Sequence, residues 1–163
     1  MKRVHLLRHA KSSWEDLALT DHQRPLKKRG RKDAALMAPA IERAGWQTTV
    51  VHCSSAVRAV QTLEHVLAAL PSAPGPVFFH DALYSFDDRV LVDWLGSRSE
   101  DDITLVGHNP ALHQLHEWLS EHRIENFPTC AYSQLSVDVR HWSELRAGCA
   151  TLNAFVTPRM LKH

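Results

Sequence analysis

The stretch VHLLRHAKSSW, residues 4–14, sets an apolar run of Val4, Leu6 and Leu7 directly before the basic pair Arg8 and His9. So short a run predicts a central strand that stops at Arg8 and feeds a loop holding Lys11, Ser12 and Ser13. The same pattern recurs twice. TTVVHCS, residues 48–54, is rich in β-branched residues and runs into Ser54 and Ser55, with Arg58 shortly after. DITLVGHNP, residues 102–110, carries Ile103, Leu105 and Val106 and then Gly107, His108 and Asn109. Three predicted strands therefore end in polar or basic groups.

Helical periodicity fills the intervals. Residues 26–44 place Ala34, Ala35, Met37, Ala38 and Ile41 at roughly helical spacing with charges elsewhere, and Gly45 as the stop. Gly30 and Pro39 interrupt the regularity of that helix. Further helices are predicted over 56–70, 86–95 and 111–122, the last with Leu112, Leu115 and Leu119 on one side. PSAPGP, 71–76, reads as a loop and VFFH, 77–80, as a short strand. YSQLSVDV, 132–139, and ATLNAFV, 150–156, are two closing strands. Strands alternating with helices predict an α/β three-layer sandwich, with a largely parallel central sheet flanked by helices, as a single domain over 1–163. In such sheets ligands bind beyond the carboxyl ends of the strands, where the three polar termini would meet.

Composition narrows the partners. Nineteen Lys and Arg against 18 Asp and Glu leave a formal charge of +1, too little for a field that wraps nucleic acid or coats an acidic membrane. The five tryptophans lack the regular spacing of a base-stacking platform. Cys53, Cys130 and Cys149 are odd in number and without CxxC spacing, which disfavours a disulfide framework or a cysteine zinc site. The opening residues contain too short an apolar run for a signal sequence or a membrane span. A soluble protein of the reducing cytoplasm is the expectation.

If the three strand ends converge, two guanidiniums and two imidazoles surround a small volume. That set suits a tetrahedral oxyanion such as phosphate and repels a cation. Arg8 and Arg58 would hold peripheral oxygens, His108 would add a charge or hydrogen bond, and His9 would approach phosphorus opposite the leaving group. Phosphoryl transfer is chiefly positioning and charge stabilisation, so the set is sufficient without metal or other cofactor. His9 must then be neutral at its attacking nitrogen, a tautomer that a bond from its other nitrogen to a loop carbonyl would select. Plainer roles exist for each residue alone: Arg8 and Arg58 as solvated surface groups, His108 as a cap of the helix that Pro110 begins.

The motifs also resemble a known family. LLRHAKSSW is similar to the RHG-type signature of the histidine phosphatase superfamily, with Ala10 where glycine is common. SSAVRAVQT, residues 54–62, resembles its second motif, and LVGHNP, residues 105–110, its third. RPLKKRG, residues 24–30, points more narrowly to the SixA-type phosphohistidine phosphatases. The resemblance implies a phosphoglycerate mutase-like fold, a phosphohistidine intermediate on His9, and phosphate contacts from Arg8, Arg58 and His108. It adds Arg24 as a further phosphate or substrate contact, although a surface Arg before a proline-started helix would look the same. It implies a metal-independent hydrolase of phosphoric monoesters or phosphoramidates whose substrate is a phosphohistidine protein. Small-molecule or phosphoserine/threonine esters, or a phosphate-binding module with weak turnover, are the alternatives.

The resemblance leaves the leaving-group proton open. Larger relatives supply an acid after the middle strand, where Asp81 stands, with Asp87 and Asp88 nearby; Glu15, Asp16 and Asp21 approach from the front of the chain. His113 and His116 lie three residues apart on one predicted helix, but without an acidic or cysteine partner at diagnostic spacing they read as exposed polar residues. His5 and His52 read as hydrogen-bonded residues within strands.

Overall fold

A computed structural model describes residues 1–46, 50–72 and 75–162. Six strands are described, β1 (Lys2–Arg8), β2 (Val50–Ser54), β3 (Val77–His80), β4 (Asp102–Gly107), β5 (Tyr132–Val137) and β6 (Ala150–Val156). They form one sheet in the order β3-β2-β4-β1-β5-β6. The neighbours from β3 to β1 pair in parallel, and β5 runs antiparallel to both β1 and β6. The sheet is thus largely parallel, with β5 as the reversed strand. Thr48 and Thr49, the first residues of the second predicted strand, lie outside the described residues, as do two residues of the 71–76 loop.

The helices are α1 (Lys28–Arg43), α2 (Val57–Ala69), α3 (Asp88–Gly96), α4 (Ala111–Ser120) and a short α5 (Pro158–Leu161). Alternation along the strands feeds two layers of core. Val4, Leu6, Ile103 and Leu105 face Leu91, Leu95, Leu112 and Leu115 of α3 and α4. Leu7, Val51, Cys53 and Val106 face Met37, Ile41, Ala59 and Leu63 of α1 and α2. Central strands buried on both faces need continuous apolar runs, which is why the opening stretch does not alternate cleanly.

Two features of α1 differ from its sequence expectation. Pro39 does not break the helix. Gly30 is a requirement of packing: a Cβ there would stand 2.2 Å from the Lys11 carbonyl oxygen. The start of α1 therefore lies directly on the loop after β1. Ser12 pairs with Leu26 in an antiparallel bridge, and the amides of Lys27 and Ser13 donate to Lys11 O (3.1 Å) and Pro25 O (2.8 Å). Gly45 ends the helix with φ of 115°, a left-handed conformation suited to glycine.

His113 and His116 part company on α4. His113 is half-buried, with Nε2 3.2 Å from the Ile124 carbonyl. His116 is fully buried between the rings of Phe127 and Phe155, so the expectation of an exposed residue is corrected: its place on the helix face carrying Leu112 and Leu119 turns it into the core. His5 is buried against Tyr132 Oη and Asp102 (2.7 Å each), and His52 against His80 (2.8 Å) and Glu100 (2.7 Å).

Candidate active site

β4 lies between β1 and β2, so the carboxyl ends of all three come out side by side: Arg8 is in register with Gly107, and Cys53 with Val106. His9 follows β1, His108 follows β4, and Arg58 projects from the first turn of α2 after β2. The backbone of His9 is pinned from both neighbours, its amide donating to Gly107 O (3.1 Å) and its carbonyl accepting from Cys130 (3.0 Å).

The imidazole is set as firmly. Nδ1 of His9 lies 2.7 Å from Ala10 O, which assigns the proton to Nδ1 and leaves a lone pair on Nε2. Burial pushes the His9 pKa down to about 3; the Ala10 bond opposes this, and the nearby charges of Arg58, Arg8 and Arg24 add to it. The carbonyl that fixes His9 is itself fixed, since the Ala10 amide donates to Thr62 Oγ1 (2.8 Å), whose hydroxyl donates to Arg58 O (2.7 Å). Alanine at position 10 is accommodated as a fully buried residue.

Arg58 is only 2% exposed, so the plainer role of a solvated surface group does not describe it. Its Nε points at His9 Nε2 (3.4 Å), while Nη1 and Nη2 donate to the carbonyl (2.7 Å) and carboxylate (2.9 Å) of Asp21. Asp21 also accepts from Tyr84 Oη (2.5 Å) and from Arg24 Nε (3.2 Å). Partial burial works against the charge on Asp21, but the bonds from Tyr84 and Arg58 prevail and hold its pKa down at about 2. Arg24 is buried as well, donating from Nη1 to Ser12 Oγ (2.7 Å) and Ser13 O (3.3 Å), with its guanidinium 3.5 Å from the centre of the Trp14 ring.

His108 completes the set, its ring 5.3 Å from that of His9. Ser54 Oγ accepts from the Ala56 amide (3.2 Å) and lies 2.8 Å from His108 Nε2, a bond that holds the orientation of the His108 ring. Burial, then the neighbouring His9 and Arg58, depress the His108 pKa to about 3. Two buried nitrogens here have no partner among the described residues, Arg8 Nε, which is a donor, and His108 Nδ1. Buried polar groups are nearly always paired, so these two call for a partner. A nitrogen lone pair set beside guanidiniums and a second imidazole is suited to receive a tetrahedral oxyanion and attack its central atom.

Arg8, His9, Arg58 and His108 thus come together, with Arg24 joined to them through Asp21. Asp81 does not join them: it opens a short 3-10 turn after β3, is exposed, and its side chain forms no hydrogen bond or ion pair among the described residues. Asp87 caps α3 by accepting from the Arg89 amide (2.9 Å). The sequence reading overlooked Tyr84 and Phe86, whose rings lie 5.4 and 5.5 Å from that of His108, and Ser54 as the residue that orients its ring. The signal for Tyr84 was weak, because an aromatic in a loop after an edge strand has many ordinary uses. Among the described residues no group of three or more His, Cys, Asp or Glu is placed to hold a metal ion, and no helix is long and apolar enough to cross a membrane.

Known proteins give this arrangement a context. The chain is 33% identical over 153 residues to an uncharacterized chloroplastic protein of Arabidopsis thaliana, covering 88% of this chain and 70% of that one. It is 32% identical over 166 residues to an uncharacterized protein of Mycobacterium tuberculosis, covering 94% and 100%. Among solved structures, that of the protein histidine phosphatase SixA complexed with tungstate has the same fold, with a TM-score of 0.79 at 24% identity over 98% of this chain and 99% of that one. Residues 4–87, from the strand before Arg8 and His9 to the loop beyond Tyr84, match the model of the histidine phosphatase superfamily (branch 1), and the chain belongs to that superfamily.

Proposed function

We propose that this protein is a SixA-like phosphatase that removes the phosphoryl group from phosphohistidine on a protein, with His9 as nucleophile. The observation that carries the reading is the lone pair of His9 Nε2 held in one cluster with two buried nitrogens that lack a partner among the described residues, Arg8 Nε and His108 Nδ1. The phosphoryl oxygens take up Arg8, His108 and Arg58 Nε, which leaves His9 Nε2 as phosphorus arrives. Nε2 forms a bond to phosphorus as the P–N bond to the substrate imidazole breaks in line. Water then attacks the phosphohistidine on His9, releases inorganic phosphate and restores the lone pair. That a relative of the same fold is described as complexed with tungstate, also a tetrahedral oxyanion, supports an oxyanion in this pocket.

The leaving imidazole needs a proton. Asp21 is ionised throughout the neutral range and is committed to Arg58, Arg24 and Tyr84, so its part is to hold the arginines. Asp81 stands apart from the cluster, and a departing imidazole is basic enough to be protonated by water. Arg24 acts on phosphate chiefly through the Asp21 it grips. Three buried free thiols, Cys53, Cys130 and Cys149, fit a reducing cytoplasm.

The test is to incubate the protein with a phosphohistidine peptide and quench within one turnover. An acid-labile, base-stable phosphoenzyme is expected on wild type and none on His9→Ala. No label on wild type, or equal turnover in the variant, overturns the assignment. A panel including phosphoserine, phosphothreonine and small phosphoesters, run at single turnover, ranks the substrate classes.

A further inference from the structure

The stretch that follows Arg24 carries a second pattern that the pocket does not use. Residues 27–32 contain five cations in six positions, Lys27, Lys28, Arg29, Arg31 and Lys32, all exposed, in a chain whose formal charge is +1. No acidic residue stands in the first turn of α1, and Lys27, at the cap position, makes no capping bond. Cations here oppose the helix dipole, so helix stability does not explain them. Nor do ion pairs: among the described residues Lys27, Lys28 and Lys32 have no acidic partner, while the buried Asp33 is shared by Lys162 (2.8 Å) and Arg29 (3.8 Å).

All five cations but Arg31 line a groove of about 740 Å³, whose wall also includes Lys162 and the acidic Glu15 and Asp33. Glu15 adjoins Trp14, whose ring covers Arg24, and Lys27 is bonded through its amide to the loop that carries His9. The groove therefore lies beside the loop that leads from His9 to Trp14. It also holds Leu36, which is 40% exposed, so a partner lying in it meets an apolar contact beside the charges.

We infer that this basic groove docks an acidic face of the phosphoprotein substrate and so brings its phosphorylated side chain to His9. The surface is one of side chains and does not depend on the amide ends of α1. A small phosphoester would never reach it; a folded protein or a long peptide seated at His9 would cover it. The inference deepens the phosphatase reading by naming the character of its partner, and rests on it for the identity of the phosphorylated group.

Two phosphohistidine peptides of equal length, one flanked by Asp and Glu and the other by Asn and Gln, test it. On wild type at low salt the acidic peptide should show a KM about tenfold lower, an advantage that falls away at 0.5 M NaCl as the charges are screened. The double variant Lys28→Glu/Lys32→Glu should lose the preference while hydrolysing a small aryl phosphate at the wild-type rate. Equal KM values on wild type, or a preference that survives in the variant, overturns the inference. Binding of a fluorescent, unphosphorylated acidic peptide to His9→Ala measures the groove without turnover, so absence of hydrolysis refutes the phosphatase reading alone and absence of binding refutes the groove alone. Tighter binding of a single-stranded RNA or of anionic vesicles than of the acidic peptide also overturns it.

Discussion

Gly30→Ala isolates the contact between α1 and the loop that follows β1. On propensity alone the change should stabilise an α-helix by about 1 kcal/mol. The structure reverses that sign. The added Cβ would lie 2.2 Å from Lys11 O and 2.9 Å from Lys11 N, both backbone atoms, so no side-chain rotation relieves the overlap. Restoring ordinary contact requires the helix and loop to separate by about 1 Å, at a cost of roughly 1–3 kcal/mol or more beyond the propensity gain. The Lys27–Lys11 hydrogen bond and the Ser12–Leu26 bridge would be stretched with it. For a chain of this length the midpoint of thermal unfolding should fall by roughly 2–10 °C. Because Ser12 and Ser13 hold Arg24, turnover of an aryl phosphate should fall as well. Circular dichroism melts and initial rates measure the two effects, with Ala35→Gly at an exposed position of the same helix as the control for propensity. A Gly30→Ala protein that melts at or above the wild-type temperature with full activity refutes the reasoning.

Other perturbations follow from the same geometry. Thr62→Val removes the acceptor of the buried Ala10 amide and should cost about 1–3 kcal/mol in urea denaturation, with a parallel loss of turnover as the carbonyl that orients His9 loosens. Asp21→Asn should lower kcat/KM about tenfold by releasing Arg58 and Arg24, and by the same factor from pH 5 to 8, because the carboxylate titrates near 2; a ratio to wild type that changes across that range would show Asp21 titrating during turnover. His9, His108 and His116 are buried neutral, with native pKa values of about 3, 3 and 4 against 6.5 when exposed. Below 6.5 the unfolded chain binds more protons than the native one, so stability is complete above 6.5 and is lost as pH falls towards 4, by up to about 1 kcal/mol per pH unit for each histidine. Urea midpoints between pH 7.5 and 4.5 should show this, and His116→Phe should flatten the slope; an unchanged slope would place the loss elsewhere.

The parallel core was legible because burial on both faces leaves an unmistakable apolar run, and because Arg8, Ser54 and His108 stand where those runs end. Asp21 was legible only as one of several acids near the pocket. Its partners lie 37 residues away at Arg58 and 63 residues away at Tyr84, and no local pattern distinguishes it from Asp16 or Asp81. His116 shows the limit from the other side: a polar residue on an amphipathic helix is assigned outward by default, yet here it shares the buried face with Leu112 and Leu119.

What the sequence by itself determined are the main elements, their largely parallel arrangement and the placing of Arg8, His9, Arg58 and His108 just at or after three strand ends, because periodicity and the residues that close each apolar run are local properties of the chain. Only the tertiary structure decided the tautomer of His9, the burial of Arg58, the grip of Asp21 on two arginines and the need for glycine at 30. Those depend on hydrogen-bond partners and close approaches between segments far apart in sequence, and such distances do not exist until the sheet has brought the strand ends together.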